Sequence, residues 1–242
     1  MSLLYLLRDI LILTAAFTLV YAVFAALFFK KEIKSAMERD PAATYALEVI
    51  LTYSGFHAIF IHRIARALRK AGIPFLPRWV SQVGRALTGV EIHPGAEIGE
   101  GLFIDHGMSV VIGETTVIGS NVTLFQGVTL GGTGKEKGKR HPTIGNNAVI
   151  GTGAKVLGNI TIGDNVNIGA NSVVIRDVPA NSTVVGVPGR IAKKEGKKVP
   201  GINLDHTSLP DPLAGALQRL QGEIDKIEKE IKDWHHGKDQ QP

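Results

Sequence analysis

Four patterns of apolar and polar residues follow one another along the chain, and each predicts a different kind of element. Ile10 to Phe29 is twenty residues without a charge. A helix of that length spans roughly 30 Å at about 1.5 Å per residue, the hydrocarbon thickness of a bilayer. From Ser35 to about Leu87 the spacing is helical, with a break expected at Asp40-Pro41. The residue before proline avoids the α region, proline suits a first helical turn, and Asp40 is then the expected N-cap of the following helix. The run from Tyr45 to Lys70 reads as one helix, ended by Gly72-Ile73-Pro74.

After Leu87 the period becomes six. Aliphatic residues stand at Ile92, Ile98 and Ile104, then at Ile112, Ile118, Leu124 and Leu130, then at Ile144, Ile150, Val156, Ile162, Ile168 and Val174. A hexapeptide period predicts a parallel β-helix, in which each repeat supplies one short strand and one turn. The period-six side chain points inward and stacks on its counterpart in the next coil. Gly, Asn and Asp fill turns that demand positive φ. Residues 195–212 read as a linker. Leu213, Leu217, Leu220, Ile224, Ile227, Ile231 and Trp234 then step by four and three, the seam of a coiled coil. The expected organisation is an apolar helix over 1–34, a helical block over 35–88, a β-helix over 89–190, and a linker with a C-terminal helix over 191–242.

The six-residue register breaks twice. The step from Ile104 to Ile112 is eight, and that from Leu130 to Ile144 is fourteen, with GGTGKEKGKRHPT between them. Insertions in a solenoid become loops, and loops on a rigid scaffold are where chemistry concentrates. His106 lies in the first break and His141 in the second.

Composition narrows the chemistry. Cysteine is absent from the 242 residues, which excludes a disulfide framework, a thiolate nucleophile and Cys-ligated zinc. The formal charge of +5 is not gathered on one helix with aromatics between, so nucleic-acid binding is not indicated. Lys30, Lys31 and Lys34 follow the apolar run, and the positive-inside rule places everything after it in the cytoplasm. A signal peptide fits poorly, because Asp9 neutralises Arg8 and no small-x-small site precedes Lys30. A membrane anchor and a helix buried in an oligomer interface both remain open.

Several segments together resemble one family. GVEIHPGAEIGEGLFIDHGMSVVIGETTVIG, VTLGGTGKEKGKRHPTIG and IGTGAKVLGNI, with ERDPA (38–42) and YSGFHAIFIHRIA (53–65), are similar to the bacterial serine acetyltransferases. The likeness runs from about Ser35 to Arg190. It implies a left-handed parallel β-helix and a direct transfer of acetyl from acetyl-CoA to the L-serine hydroxyl in cysteine biosynthesis, with no cofactor or metal. By resemblance, His106 is the general base, a role suited to a group that titrates near neutral pH. Glu91 orients it, as the carboxylate of a triad does; many members carry Asp there. Asp40 and Asp105 are implied for the serine ammonium. Arg140 is implied for the carboxylate, which its fork can pair twice, with His141 adding a hydrogen bond. Acetyl-CoA is implied in a groove between subunits, against Gly132, Thr133, Thr152 and Ala170. Lys135, Lys137, Lys139, Arg190, Lys193 and Lys194 are candidates for its phosphates, or simply solvated charges.

The family also implies a homotrimer or a dimer of trimers. Many members end in an isoleucine that inserts into O-acetylserine sulfhydrylase; this chain ends in DQQP, which argues against that complex. Rival readings of the scaffold are an acyltransferase for a sugar or antibiotic, a γ-type carbonic anhydrase, and a membrane-tethered scaffold without activity. The RDPA and RHP segments oppose the first. His93, His106 and His141 lack the closely spaced imidazole pair that the second needs. His93, His57 and His62 read as structural, Asp205-His206 as a chance repeat, and His235-His236 as without a role.

Overall fold

The computed structural model describes residues 3–135, 137–192 and 220–228. Five helices come first: α1 (Leu3–Phe28), α2 (Lys30–Arg39), α3 (Ala46–Thr52), α4 (Ser54–Lys70) and α5 (Leu76–Thr88). Helix α1 starts seven residues before the uncharged run, because Arg8 and Asp9 pair with each other at 2.8 Å and leave no net charge. Residues 220–228 are helical; the rest of the expected heptad segment and the 195–212 linker lie outside the described residues.

Two details of the helical block depart from expectation. Asp40 closes α2 rather than opening the next helix: its N–H donates to the Ala36 carbonyl at 2.9 Å, and its backbone is extended. Its Oδ1 accepts the Ala42 N–H at 2.8 Å, so the carboxylate holds the turn after α2, and α3 begins only at Ala46. The expected single helix over 45–70 is divided at Tyr53, whose extended backbone (φ −79°, ψ 111°) separates α3 from α4. A sequence with helical periodicity on both sides gives no sign of that kink.

The remaining strands wind into a left-handed parallel β-helix with three faces. The first stacks β1 (Glu91–Ile92), β4 (Val111–Ile112), β7 (Thr129–Gly131), β10 (Lys155–Leu157) and β13 (Val173–Val174). The second stacks β2 (Glu97–Ile98), β5 (Val117–Ile118), β8 (Thr143–Ile144) and β11 (Thr161–Ile162). The third stacks β3 (Phe103–Ile104), β6 (Thr123–Leu124), β9 (Val149–Ile150), β12 (Asn167–Ile168) and β14 (Thr183–Val185). Strand β15 (Arg190–Ala192) then turns back antiparallel on β14. The register is that of the period: Ile92 opposes Ile112, Ile112 opposes Leu130, and Leu130 opposes Val156.

All thirteen period-six side chains are buried. Burying each such chain is worth roughly 1.5–3 kcal/mol, so the interior column supplies most of the drive to coil. The corner between the second and third faces is a ladder of asparagines. Asn121, Asn147, Asn165 and Asn181 all have φ between 55° and 58°. The Asn147 amide donates to Asn165 at 3.2 Å, and the Asn165 amide to Asn181 at 3.0 Å. Asparagine tolerates the left-handed region and its carboxamide satisfies its neighbour, which explains its recurrence there.

The helical block docks on the first coils through arginines that cap strand-end carbonyls. Arg39, buried, donates to the carbonyls of Gly101 and Val122. Arg63 reaches Ile98 and Gly99, and Arg66 reaches Gly95 and Ala96. Between these two lies His62, fully enclosed, its ring nitrogens without a well-aligned hydrogen bond. Burial above all, then the charges of Arg63 and Arg66, push its pKa down to about 3. An imidazole depressed in the folded state is neutral there and takes up a proton on unfolding, so its contribution to stability is lost as pH falls below about 6.5. Acidification from pH 6.5 to pH 5 is expected to cost about 2 kcal/mol through this residue alone. Melting curves of the native chain and of His62→Leu check this: the variant should lose that part of the acid sensitivity.

Candidate functional site

The three faces meet at three corners, and the residues implied by sequence divide between two of them. The eight-residue step lies at the corner from the third face to the first, where residues 105–110 join β3 to β4. His106 takes φ 56° and Ser109 φ 64°, both rare for residues with a side chain, with Gly107 between them at 82°. These turns lift the His106 imidazole off the coil, and 73% of the side chain is exposed. The loop is pinned from below: the Ser54 hydroxyl donates to the His106 carbonyl at 2.8 Å, and the Ser109 N–H donates to Gly89 at 3.0 Å.

Two carboxylates stand at this corner. Asp105 Oδ1 lies 4.0 Å from His106 Nε2, an ion-pair distance beyond hydrogen bonding. Asp40 Oδ2 accepts the Tyr53 hydroxyl proton at 2.7 Å. Burial, and then Asp40 and more remotely Asp105, drive the Tyr53 pKa upward, which keeps it a donor. Asp40, Tyr53 and Asp105 therefore share one electrostatic neighbourhood of net negative charge, suited to an ammonium group. The kink between α3 and α4 puts Tyr53 and Ser54 there. Sequence reading singled out neither residue, although both lie in the YSGF segment.

Glu91 is near this loop along the backbone, since its N–H donates to Val110 at 2.9 Å. Its carboxylate, however, is bonded elsewhere: one oxygen pairs with Arg78 at 3.1 Å and the other with Arg85 at 3.2 Å, both from α5. Within this chain the Glu91 side chain is thus engaged by arginines seven residues apart on one helix face, and no bond joins it to His106.

The second break forms the loop after β7, at the corner from the first face to the second. The Thr115 hydroxyl organises it, accepting the N–H groups of Arg140 at 3.0 Å and His141 at 3.1 Å. The same oxygen lies 2.9 Å from His141 Nδ1. With two N–H donors already on its oxygen, the hydroxyl proton is assigned to Nδ1, which leaves the Nε2 proton as the free donor. Burial, then Arg140 beside it, lowers the His141 pKa, consistent with a neutral ring. That ring fills the space over two glycines: a Cβ on Gly113 would come within 1.9 Å of it, and one on Gly132 within 3.0 Å. Arg140 pairs with Glu114 at 3.2 Å, and Glu114 also holds Arg69 of α4 at 3.3 Å.

Glu114 was not legible as functional, because it sits in an ordinary repeat and gains meaning only from the loop folded over it. Removing it is expected to leave Arg140 mobile. Glu114→Ala should raise the KM for the carboxylate-bearing substrate about three- to tenfold, the modest effect of a half-exposed ion pair, with kcat little changed.

The remaining positions fall on the same two corners. Gly132 and Thr133 accompany Arg140 and His141. Thr152 and Ala170 stand on the His106 corner, one and two coils beyond Gln126-Gly127, joined by bonds from Gly127 N–H to Met108, Gly153 N–H to Gln126, and Asn171 N–H to Thr152. Lys139 is not a free cation: its ammonium donates to the carbonyls of Thr115 and His141 at 2.7 Å each, and to Pro142 at 3.2 Å. It is a strut of the loop rather than a phosphate ligand. Lys135, Lys137 and Arg190 are exposed, while Lys193 and Lys194 lie outside the described residues. His93 has the structural role expected of it, its Nδ1 accepting the Gly95 N–H at 3.0 Å.

A coil of hexapeptides bearing a histidine-and-carboxylate corner and an arginine-and-histidine corner defines a hexapeptide transferase. Residues 141–176 match the bacterial transferase hexapeptide model (six repeats), and residues 109–132 match the hexapeptide repeat of succinyl-transferase. The chain is 60% identical over 204 residues to the serine acetyltransferase of Bacillus subtilis, covering 84% of this chain and 94% of that one. It superposes on the Neisseria gonorrhoeae serine acetyltransferase in complex with serine with a TM-score of 0.67 and 43% identity, covering 71% and 70% of the two chains. A serine acetyltransferase in complex with CoA gives a TM-score of 0.64 at 42% identity, with 67% of each chain covered. The chain belongs to the serine acetyltransferase family and is an acyltransferase.

Proposed function

We propose that this enzyme moves acetyl from acetyl-CoA to the hydroxyl of L-serine in a site shared between neighbouring copies of a homotrimer. The observation that carries this reading is the separation of the two half-sites. Asp40, Asp105 and His106 occupy one corner of a three-sided coil, and Arg140 and His141 occupy the next. No bond joins the two groups among the described residues. A threefold assembly packs one corner of each copy against the other corner of its neighbour, and so completes a site that one chain leaves open. The Thr152 and Ala170 row would then face Gly132 and Thr133 across the same groove, a track for the pantetheine arm.

In the reaction, His106 accepts the serine hydroxyl proton as the oxygen attacks the thioester carbonyl. The tetrahedral intermediate collapses by breaking the C–S bond, and the imidazolium returns the proton to the departing thiolate. The products are O-acetylserine and CoA, and no acyl-enzyme forms. Asp40 and Asp105 offset the serine ammonium, and Arg140 with the His141 Nε2 proton binds its carboxylate. Glu91, held by Arg78 and Arg85, supports the loop from the neighbouring coil; it orients His106 directly only if assembly frees it from them.

Co-expression tests the shared site. Arg140→Ala and His106→Asn assemblies should each be inactive alone. Random mixing should restore about a quarter of the native thiol release from acetyl-CoA and L-serine, since one interface in four pairs two intact halves. Mixed assemblies that stay inactive would place the whole site in one chain. Clear preference for L-serine over sugar hydroxyls is expected in the same assay.

The division into an anchor (1–34), a helical block (35–88), a catalytic coil (89–190) and a tail (191–242) goes with this reading. Helix α1 is long and apolar enough to cross a bilayer, and most of its side chains are exposed. We take it as a membrane anchor that keeps the catalytic body on the side of Lys30, Lys31 and Lys34, the cytoplasm.

A further inference from the structure

Helix α1 touches the rest of the molecule over only part of its length. The side chains that pack on the body of the molecule are Tyr21, Ala22 and Ala25, a single face at helical spacing. Tyr21 packs edge-on against Phe60 of α4, with ring centroids 5.1 Å apart, and its hydroxyl donates to the Ile50 carbonyl. The eighteen residues from Leu3 to Val20 would cover about 27 Å, close to one hydrocarbon thickness, with the charges of Arg8 and Asp9 inside that stretch paired to each other. The anchor therefore enters the bilayer where it leaves the helical block, and the junction between them lies at the level of the lipid headgroups.

At that junction is a cavity of about 1000 Å³ between α1 and α4. Phe17, Val20, Phe24 and Phe28 form one wall, and Phe60 and Ile64 the other. The end next to α2 is charged: Lys30, Lys31 and Arg63 face Glu32 and Glu100. Arg63 pairs with Glu32 at 3.5 Å and Lys31 with Glu100, whereas Lys30 has no partner among the described residues. Lys34, exposed one turn on, is paired with Glu38 at 3.5 Å and adds no net charge. An apolar trough closed at one end by an unmatched ammonium fits a molecule with a hydrocarbon chain and an anionic head. A second copy of α1 would fill the apolar part, but its one acid, Asp9, is paired with Arg8 and brings no net anion to Lys30.

We infer that the α1–α4 groove is a lipid site, taking an acyl chain of an anionic phospholipid from the leaflet next to the catalytic body, with its phosphate against Lys30 and Lys31. Bound lipid seats α4 on the membrane surface and fixes the tilt of the catalytic coil relative to it, which a flexible tether would not do. The inference rests on α1 being a membrane anchor. Each such cation is attracted only modestly to an anionic leaflet, so the headgroup sets a preference rather than an absolute requirement.

Tryptophan quenching by lipids brominated in the acyl chain tests it, using the full-length chain in phosphatidylcholine–phosphatidylglycerol vesicles. The background is Trp79→Phe with Trp234→Phe, and acetyl transfer to serine verifies that each variant is folded. Leu13→Trp reports on the anchor and Ile64→Trp on the groove. Both reporters should lose most of their fluorescence. The Ile64→Trp loss should be greater when the bromine is on phosphatidylglycerol than on phosphatidylcholine, and Lys30→Glu with Lys31→Glu should abolish that difference. Quenching of Leu13→Trp without Ile64→Trp would overturn the groove site and leave the anchor standing. Equal quenching by the two lipids would overturn the anionic headgroup. Quenching of neither would overturn the anchor, and the lipid site with it.

Discussion

Replacing His106 with asparagine should lower kcat/KM for acetyl transfer to serine by about 100-fold or more while the chain remains fully folded, because a positioned general base contributes 10²- to 10⁴-fold. The choice of asparagine matters. His106 sits at φ 56°, and asparagine adopts that region with little strain, as five asparagines of this coil do at φ 55° to 58°. His106→Ala removes the same base but also adds a backbone cost of roughly 1–2 kcal/mol in the loop. The two variants should therefore match in lost activity and differ in melting temperature. Thiol release from acetyl-CoA and thermal melting, measured on both, separate the chemistry from the strain. Near-normal turnover in His106→Asn would remove His106 from the mechanism.

The largest structural effect is expected at Gly55. Helix α4 crosses the coil so closely there that a Cβ would lie 2.1 Å from the Ile104 carbonyl oxygen and 2.8 Å from the Ile104 Cβ. Both are fixed parts of strand β3 or its backbone, so no flexible side chain can yield. Gly55→Ala should cost about 3 kcal/mol or more, the upper range for overpacking. It should also lower activity beyond what the lost stability explains. Pushing α4 outward moves Tyr53 away from Asp40 and Ser54 away from the His106 carbonyl, and so loosens the hydrogen bonds on both carboxylate and base. Gly72→Ala is the control: nothing lies within 4 Å of its Cβ, and only its φ of 74° resists, a cost of roughly 1 kcal/mol. Comparable losses in the two variants would show that α4 is not rigidly seated on the coil.

The structure also separates what holds the site from what acts in it. Thr115 bonds Arg140, His141 and the His141 ring, while Lys139 ties the loop carbonyls of His141 and Pro142 to that of Thr115. An insertion of eight residues into a six-residue period would otherwise be expected to move freely. These bonds hold its last residues, with His141 inserted over Gly113 where no larger residue would fit. The lysine that looked like a phosphate ligand is part of that support, because three carbonyls already surround its ammonium.

The sequence by itself determined the coil. A period of six, with an aliphatic residue at each repeat and asparagine or glycine at the corners, has only one way to bury its apolar column. The thirteen repeat positions from Ile92 to Val174 are all inside. It also marked where the coil would be interrupted: the first break lifts His106 off the coil, and the second folds over Gly113 with His141 buried beneath it. Only the tertiary structure decided the rest, because it depends on pairs of residues far apart in the chain. The turn of Asp40 away from an N-cap and onto Tyr53, the kink that divides α3 from α4, and the capture of Glu91 by Arg78 and Arg85 are all contacts across helices and coils. The placement of His106 and Arg140 on different corners of the coil has the same origin. Local periodicity records which side of an element is buried; it does not record which neighbour lies on that side.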